Sequence, residues 1–347
     1  MKLLTIIVPS FNVDKTLCST LNSLCIDDII DELDVIVVDD ESTDDTAVIA
    51  KSFAERYPFS VKVITKVNGG HGSAVNAGVE AAQGIYFKVV DGDDRLDKKG
   101  LITLVNQIKI TSADLLVAPY VKVDVNDETN LTSMNFEDVE FGKLYNFNDL
   151  PLDRNLYFGI HSMTIKTSIF KNNNLKLQEN TFYVDVEYGL LPIPFIKTVE
   201  FLNVIIYKYY VGNSGQSISH SNFVKRYDDH FRVVMRMTEY YINFADNEMQ
   251  FIYMNSVLQK VCFTNYMLSV FYDDDVKRGK IRAKEFDTWL KKNGGSLYND
   301  LNKSLYIRFL RITGFKILPN NKFFKHSVEK IYSVFKPLLK KRNKLTY

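Results

Sequence analysis

Apolar and polar residues in the first 120 positions come in blocks. Short β-branched runs at 5–8, 35–38, 61–64, 85–90 and 115–118 alternate with longer stretches of helical spacing near 14–26, 44–57, 73–83 and 97–110. Runs this apolar suit strands buried on both faces, and their alternation with helices predicts an α/β domain built on a mostly parallel sheet between helical layers. Open sheets of this kind bind ligands beyond the carboxyl ends of their strands. The residues there are polar: Pro9-Ser10-Phe11-Asn12, Asp39-Asp40-Glu41-Ser42, Asn68-Gly69-Gly70-His71-Gly72 and Asp91-Gly92-Asp93-Asp94 follow the first four runs in turn.

Beyond residue 120 the pattern is mixed and rich in Asn and Asp, with a polar-apolar segment at 181–187 and a strand-like run at 204–207; after Phe223 it reads as mostly helical. The expected organisation is one domain over 1–222, with a ligand-binding half at 1–120 and a second half at 121–222, followed by a helical region at 223–347.

The rim residues carry the candidate chemistry. Two carboxylates separated by one small residue, Asp91 and Asp93, suit a divalent cation with sites left open for phosphate oxygens. The same residues suit a turn in which an Asp caps the next helix. Asp39-Asp40 could accept hydrogen bonds from a nucleobase or ribose, or the segment could cap its helix through Ser42 and Asp45. The glycine-rich segment at 68–73 lacks the Lys-Ser/Thr ending of a P-loop, and Val75 stands where a dinucleotide fingerprint needs its third glycine. His71 within it is either a phosphate or sugar contact or an ordinary loop histidine. Asp185, among large apolar neighbours, is a candidate general base whose pKa burial would raise, and Glu187 competes for the role.

Taken together, Ile7 to Asn12, Val37 to Asp44, Asn68-Gly69-Gly70 leading to Ala74-Val75-Asn76-Ala77-Gly78, and Val90 to Asp94 resemble glycosyltransferase family 2, whose members adopt the GT-A fold. The resemblance is specific over 1–120 and fades by about 220. It implies an inverting, metal-dependent transfer from a nucleoside diphosphate sugar, UDP-linked by preference. Pro9, Ser10, Phe11, Asn12 and Asp40 would line the base and ribose pocket, and Gly70, His71 and Asn76 would border the donor. Asp91 and Asp93 would hold Mn²⁺ or Mg²⁺ with the diphosphate, assisted by Asp94. Asp185 would be the base, although Val184 replaces the Glu that usually precedes it. The Gln-x-x-Arg-Trp signature of processive synthases is missing, which favours single transfers; Gln216, with His161 and Glu187, is a candidate acceptor contact.

Composition narrows the setting. The chain of 347 residues is 46% hydrophobic and carries a formal net charge of +1, which gives no reason to expect a nucleic-acid partner. Cys18, Cys25 and Cys262 are too few and too scattered for a disulfide framework. No apolar run is long enough to span a membrane, so the expected location is the cytoplasm or the inner face of the plasma membrane. From Lys303 onward the only acidic side chain is Glu329, and Phe324, Val328, Ile331, Phe335 and Leu338 form a helical stripe flanked by Lys325, Lys330 and Lys336. Such a helix could lie on an anionic membrane near a lipid-linked acceptor, or dock on the core. The aromatic helical region after 223 could also join two copies. Two other functions fit the same sheet: a binding or scaffold module without turnover, and a sugar nucleotidyltransferase. The latter would carry a glycine-rich, Arg-containing loop where Pro9 to Asn12 stand.

Overall fold

The computed structural model describes residues 1–136, 138–151, 157–212, 220–244 and 248–315. Gln216 and the basic stripe at 324–338 therefore lie outside the described residues. Two compact units emerge, one of residues 1–216 and 235–257, the other of 217–234 and 258–347.

The first unit is α/β, as its block pattern predicts. Its strands are β1 (Leu4–Ser10), β2 (Leu33–Asp39), β3 (Val61–Thr65), β4 (Tyr86–Val89), β5 (Arg95–Leu96), β6 (Leu115–Val117), β7 (Tyr120–Asp124), β8 (Asn130–Met134), β9 (Leu144–Asn146), β10 (Met163–Lys166), β11 (Thr198–Phe201) and β12 (Tyr207–Val211). Eight form one sheet in the order β3-β2-β1-β4-β10-β6-β11-β9, and β5-β12-β7-β8 form a second. The four leading strands are mutually parallel. β10 runs antiparallel between β4 and β6, and this reversal splits the large sheet beside the strand that leads into Asp91. The run at 204–207 yields a strand only from Tyr207, because β12 must begin there to pair with Tyr120 of β7 and Leu96 of β5.

Helices α1 (Asp14–Leu24), α2 (Thr46–Arg56), α3 (Gly70–Ala81) and α4 (Lys98–Ile108) link the leading strands, followed by α5 (Thr167–Asn172) and α6 (Asp185–Leu190). Leu4, Ile6, Val8, Val35 and Val37 are fully buried against Leu17, Leu21, Leu101 and Leu104. That apolar seam fixes β1, β2 and β4 in register, so their polar carboxyl-end loops share one edge.

α7 (His220–Lys225), α8 (Tyr227–Asn243), α9 (Glu248–Met267), α10 (Val276–Asn293), α11 (Gly295–Asp300) and α12 (Leu305–Ile312) complete the described chain. Residues 235–257 pack with the first unit: Tyr253 stacks on Phe158 at 5.0 Å and its hydroxyl accepts from Phe158 N, while Gln250 donates to Ile196 O. In the second unit, Phe231 and Tyr266 meet Phe286 edge-on. Asp273, 2% exposed, accepts from Arg278 at 2.6 Å and Arg282 at 3.0 Å.

Breaking that cluster tests the second unit. Its protein surroundings push the Asp273 carboxyl up, but Arg278, the Asp275 N–H and the charge of Arg282 outweigh them and hold it below its ordinary 3.8. A carboxyl with a folded pKa below its unfolded one stabilises above the ordinary value, and that contribution fades as pH falls through the folded pKa. Asp273→Ala should lower the unfolding free energy by roughly 2–4 kcal/mol, since Arg278 is half exposed and is left less stranded than a fully buried partner. Urea unfolding followed by fluorescence of Trp289, the single tryptophan, reads this.

Candidate functional site

The loop after β4 is built to hold carboxylates away from bulk water. Asp94 N donates to Asp91 O, closing a tight turn, and Gly92 O accepts from both Thr16 and Thr20 of α1. A Cβ on Gly92 would stand 3.0 Å from Val13 Cγ2, so any side chain there would require its neighbours to give by a few tenths of an ångström. The cap of α4 is Asp97, whose side chain accepts from Gly100 N. Asp91, Asp93 and Asp94 are thereby spared the capping role that their position also suggested.

Asp94 is fully buried; Tyr207 donates to its Oδ2 at 2.6 Å and Tyr210 N to its Oδ1 at 2.7 Å. The Tyr207 hydroxyl also accepts from Asp91 N at 3.2 Å. Asp91, about a third exposed, meets His71 Nε2 at 2.9 Å. His161 sits in the turn before β10, stacked on Tyr209 at 4.5 Å and flanked by Tyr207 and Tyr120. One ligand atom each from Asp91, Asp94 and His161 lie within 4.8 Å of one another. The spacing of acidic residues had pointed to Asp91 with Asp93; among the described residues the fold gathers Asp91 with Asp94 and a histidine seventy residues further on.

The electrostatics match a cation site. Dense surroundings and then the Asp91 charge push Asp93 up to about 6. Burial, followed by the charges of Asp91 and Asp93, pushes Asp94 well above its ordinary range. Desolvation alone would raise Asp91, but the hydrogen bond and charge of His71 hold it low, and His71 is raised in return against its own desolvation. Burial brings His161 down to about 4, leaving a neutral imidazole able to ligate. Two carboxyl groups raised by burial and neighbouring charge and a third held low by His71, beside a neutral imidazole, fit a divalent cation with oxygen and nitrogen preference.

Other expected donor contacts are committed within the protein. Asp40 accepts from Gly69 N, Gly70 N and Lys66 Nζ, so it shapes the glycine-rich loop. Asn12, at φ 53°, accepts from Thr43 N and its own N–H donates to Ser42, which ties the first rim loop to the second. Asp44, rather than Asp45, accepts from the first N–H of α2. Ser10 is buried and donates to Val8 O, whereas Phe11 is half exposed at the rim. Pro9 lies within β1.

Asp185 is the first residue of α6, preceded by Tyr183 at φ 66°. Its carboxylate reaches solvent, yet the surrounding protein raises its pKa, with His71 pulling the other way. A strap of residues 176–181 positions this segment. Asn76 accepts from Leu177 N and donates to Leu177 O, and Asn180 N donates to Gly69 O. Glu187 is fully buried and accepts from Gln178 and Arg236, so its carboxylate serves the strap. Sequence reasoning passed over Tyr207, Tyr209, Tyr120 and Lys88; of these, Lys88 alone had a visible signal, a charge inside an apolar run.

The mixed sheet, the carboxylate loop at its rim and a histidine supplied by the second half define a GT-A-type glycosyltransferase domain. Residues 5–174 match the model of the family described as Glycosyl transferase family 2, and the chain belongs to that family. EpsJ of Bacillus subtilis, named an uncharacterized glycosyltransferase, is 32% identical over 120 residues, covering 35% of this chain and 34% of its own. TarS of Staphylococcus aureus, a poly(ribitol-phosphate) beta-N-acetylglucosaminyltransferase, is 35% identical over 98 residues, 28% of this chain and 17% of its own. The TarS 1–349 crystal structure with UDP-GlcNAc shares the fold at a TM-score of 0.59 and 18% identity, covering 88% of this chain and 91% of that one. The mannosyltransferase PcManGT of Pyrobaculum calidifontis, solved with GDP-Man and Mn²⁺, has a TM-score of 0.52 at 15% identity over 93% and 82%. The chain spans less than half the length of the curated relatives it matches first, at 34% and 42%.

The strap is testable through Gly72, where a Cβ would come 2.1 Å from Gln178 O. Gly72→Ala should destabilise by about 1–3 kcal/mol through overpacking against main chain. Thermal melting reads this, and an unchanged midpoint would mean that the strap yields freely.

Proposed function

We propose that the chain transfers one sugar at a time from a nucleoside diphosphate sugar, UDP-linked, to a hydroxyl of a saccharide or lipid-linked saccharide, inverting the anomeric carbon, in assembly of a surface polysaccharide. The observation that carries this reading is the Asp91, Asp94 and His161 cluster, with Asp185 and His71 in electrostatic reach of it. TarS, bound to UDP-GlcNAc, and PcManGT, bound to GDP-Man and Mn²⁺, support a nucleotide-sugar donor; TarS, by its name, supports a polyol-phosphate or polysaccharide setting.

A divalent cation held by Asp91, Asp94 and His161 would offset the charge of the departing diphosphate. Asp185 takes the proton of the acceptor hydroxyl while that oxygen bonds to the anomeric carbon and the bond from carbon to diphosphate oxygen breaks. Asp93 and His71 sit beside the same charge, His71 as a hydrogen-bond donor to Asp91. Lys66 and Asp40 hold the glycine-rich loop at the donor edge.

A panel of UDP- and GDP-sugars, screened by thermal shift with and without Mn²⁺ and then assayed for hydrolysis, tests the donor class. The expected result is a Mn²⁺-dependent shift with a UDP-sugar; GDP-mannose shifting alone would change the donor, and no shift with any sugar nucleotide would sink the reading. Asp185→Asn should cut kcat by roughly 10²–10⁴-fold while leaving donor binding intact. Because Asp185 must be ionised to act and its carboxyl is raised above 3.8, the acid limb of the rate profile should lie above that value.

A further inference from the structure

We propose that Lys88 is a positioning residue of the candidate cation centre: through main-chain carbonyls it sets the His161 imidazole opposite Asp91 and Asp94. The inference rests on the cation reading given above and goes beyond it by assigning a residue outside the ligand set, which reaches His161 only through its main chain. Lys88 lies on β4, three positions before Asp91, and is fully buried. Its ammonium donates to His161 O at 2.7 Å and to Met163 O at 3.2 Å, and stands 5.4 Å from the ring centre of Tyr207.

Neighbouring β4 residues Phe87 and Val89 are apolar and buried, as the strand requires. An ammonium at such a position is costly to desolvate, and among the described residues no carboxylate pairs with it. Its contacts instead converge on the candidate centre. His161 belongs to the gathered ligand set, and Met163 opens the strand that follows it. Tyr207 links Asp91 N to Asp94 Oδ2 through its hydroxyl. The turn before β10 is closed by Ser162 N, Ser162 Oγ and Met163 N, all donating to Gly159 O, and Ala118 N donates to Ser162 O from the chain end of β6. Lys88 adds the tie from β4 to His161 itself. Outer contacts of this kind orient a metal-binding histidine as surely as the ligand bond itself.

The test measures Mn²⁺ binding to the full chain, by electron paramagnetic resonance and calorimetry, with Mn²⁺ alone and with UDP. Lys88→Met keeps the length and removes the donors, and Lys88→Gln keeps one donor. If Lys88 acts through His161, Lys88→Met weakens Mn²⁺ binding by about 10–100-fold in the chain that retains His161, and Lys88→Gln by less. In a His161→Ala chain neither change weakens it further, because the cycle isolates the coupling. An equal loss with and without His161, or no loss with it, overturns the proposal. Should Lys88→Met fail to fold, the Lys88→Gln cycle and paramagnetic broadening of the His161 ring signals in the unaltered chain decide: absent broadening while Mn²⁺ binds overturns it. An unaltered chain that binds no Mn²⁺, with or without UDP, removes the cation centre itself, whereas retained binding without coupling removes the role of Lys88 alone.

Discussion

Negative charge kept out of water at the end of β4 is the constraint around which the first unit is organised. Asp91, Asp93 and Asp94 occupy four consecutive positions with Gly92; burial and the charge of Asp91 raise Asp93, and burial with the charges of Asp91 and Asp93 raises Asp94. Unpaired carboxylates in so small a space would take up protons or force the loop outward. The fold prevents the second outcome by main-chain anchoring to α1 and by a tyrosine hydroxyl that serves two aspartates at once. His71 relieves the first at Asp91. What remains is a site short of positive charge, the condition under which a bound cation would be stabilising.

The scaffold behind this site divides its labour. β1, β2 and β4 supply an apolar platform, and the loops after β1, β2 and β3 are bound to one another by Asn12, Asp40 and Glu41. The antiparallel β10 brings the second half of the unit against the first, and with it a histidine wrapped in aromatic rings. Residues 235–257 then cover the far end of that half through Tyr253 and Gln250.

Local patterns in the chain were enough to read the strands of the leading half, because burial on both faces of β1, β2, β4 and β6 leaves a largely apolar run; β3, expected to be buried too, lies at the sheet edge and is mostly part-exposed. They also located the rim loops and their acidic residues. What they could not supply was pairing across distance. His161 joins Asp91 and Asp94 only because β10 inserts beside β4, a reversal that no periodicity records. The partners of Asn76 and Glu187 were hidden for the same reason, since Leu177 and Arg236 are remote in sequence and the contacts run partly to backbone atoms. Family resemblance pointed to these loops; within them Asn12 and Asp40 hold neighbouring main chain, whereas Phe11 is half exposed at the rim.

The way Asn76 grips its partner has a wider meaning. By engaging both the N–H and the carbonyl of one residue, it reads the path of the chain and is blind to the identity of the side chains that ride on it. Asn180 adds a single main-chain bond, its N–H donating to Gly69 O. A segment secured in this fashion could exchange its outward-facing residues while its course stays constant, which would let the region leading to Asp185, the proposed base, vary without disturbing the glycine-rich loop.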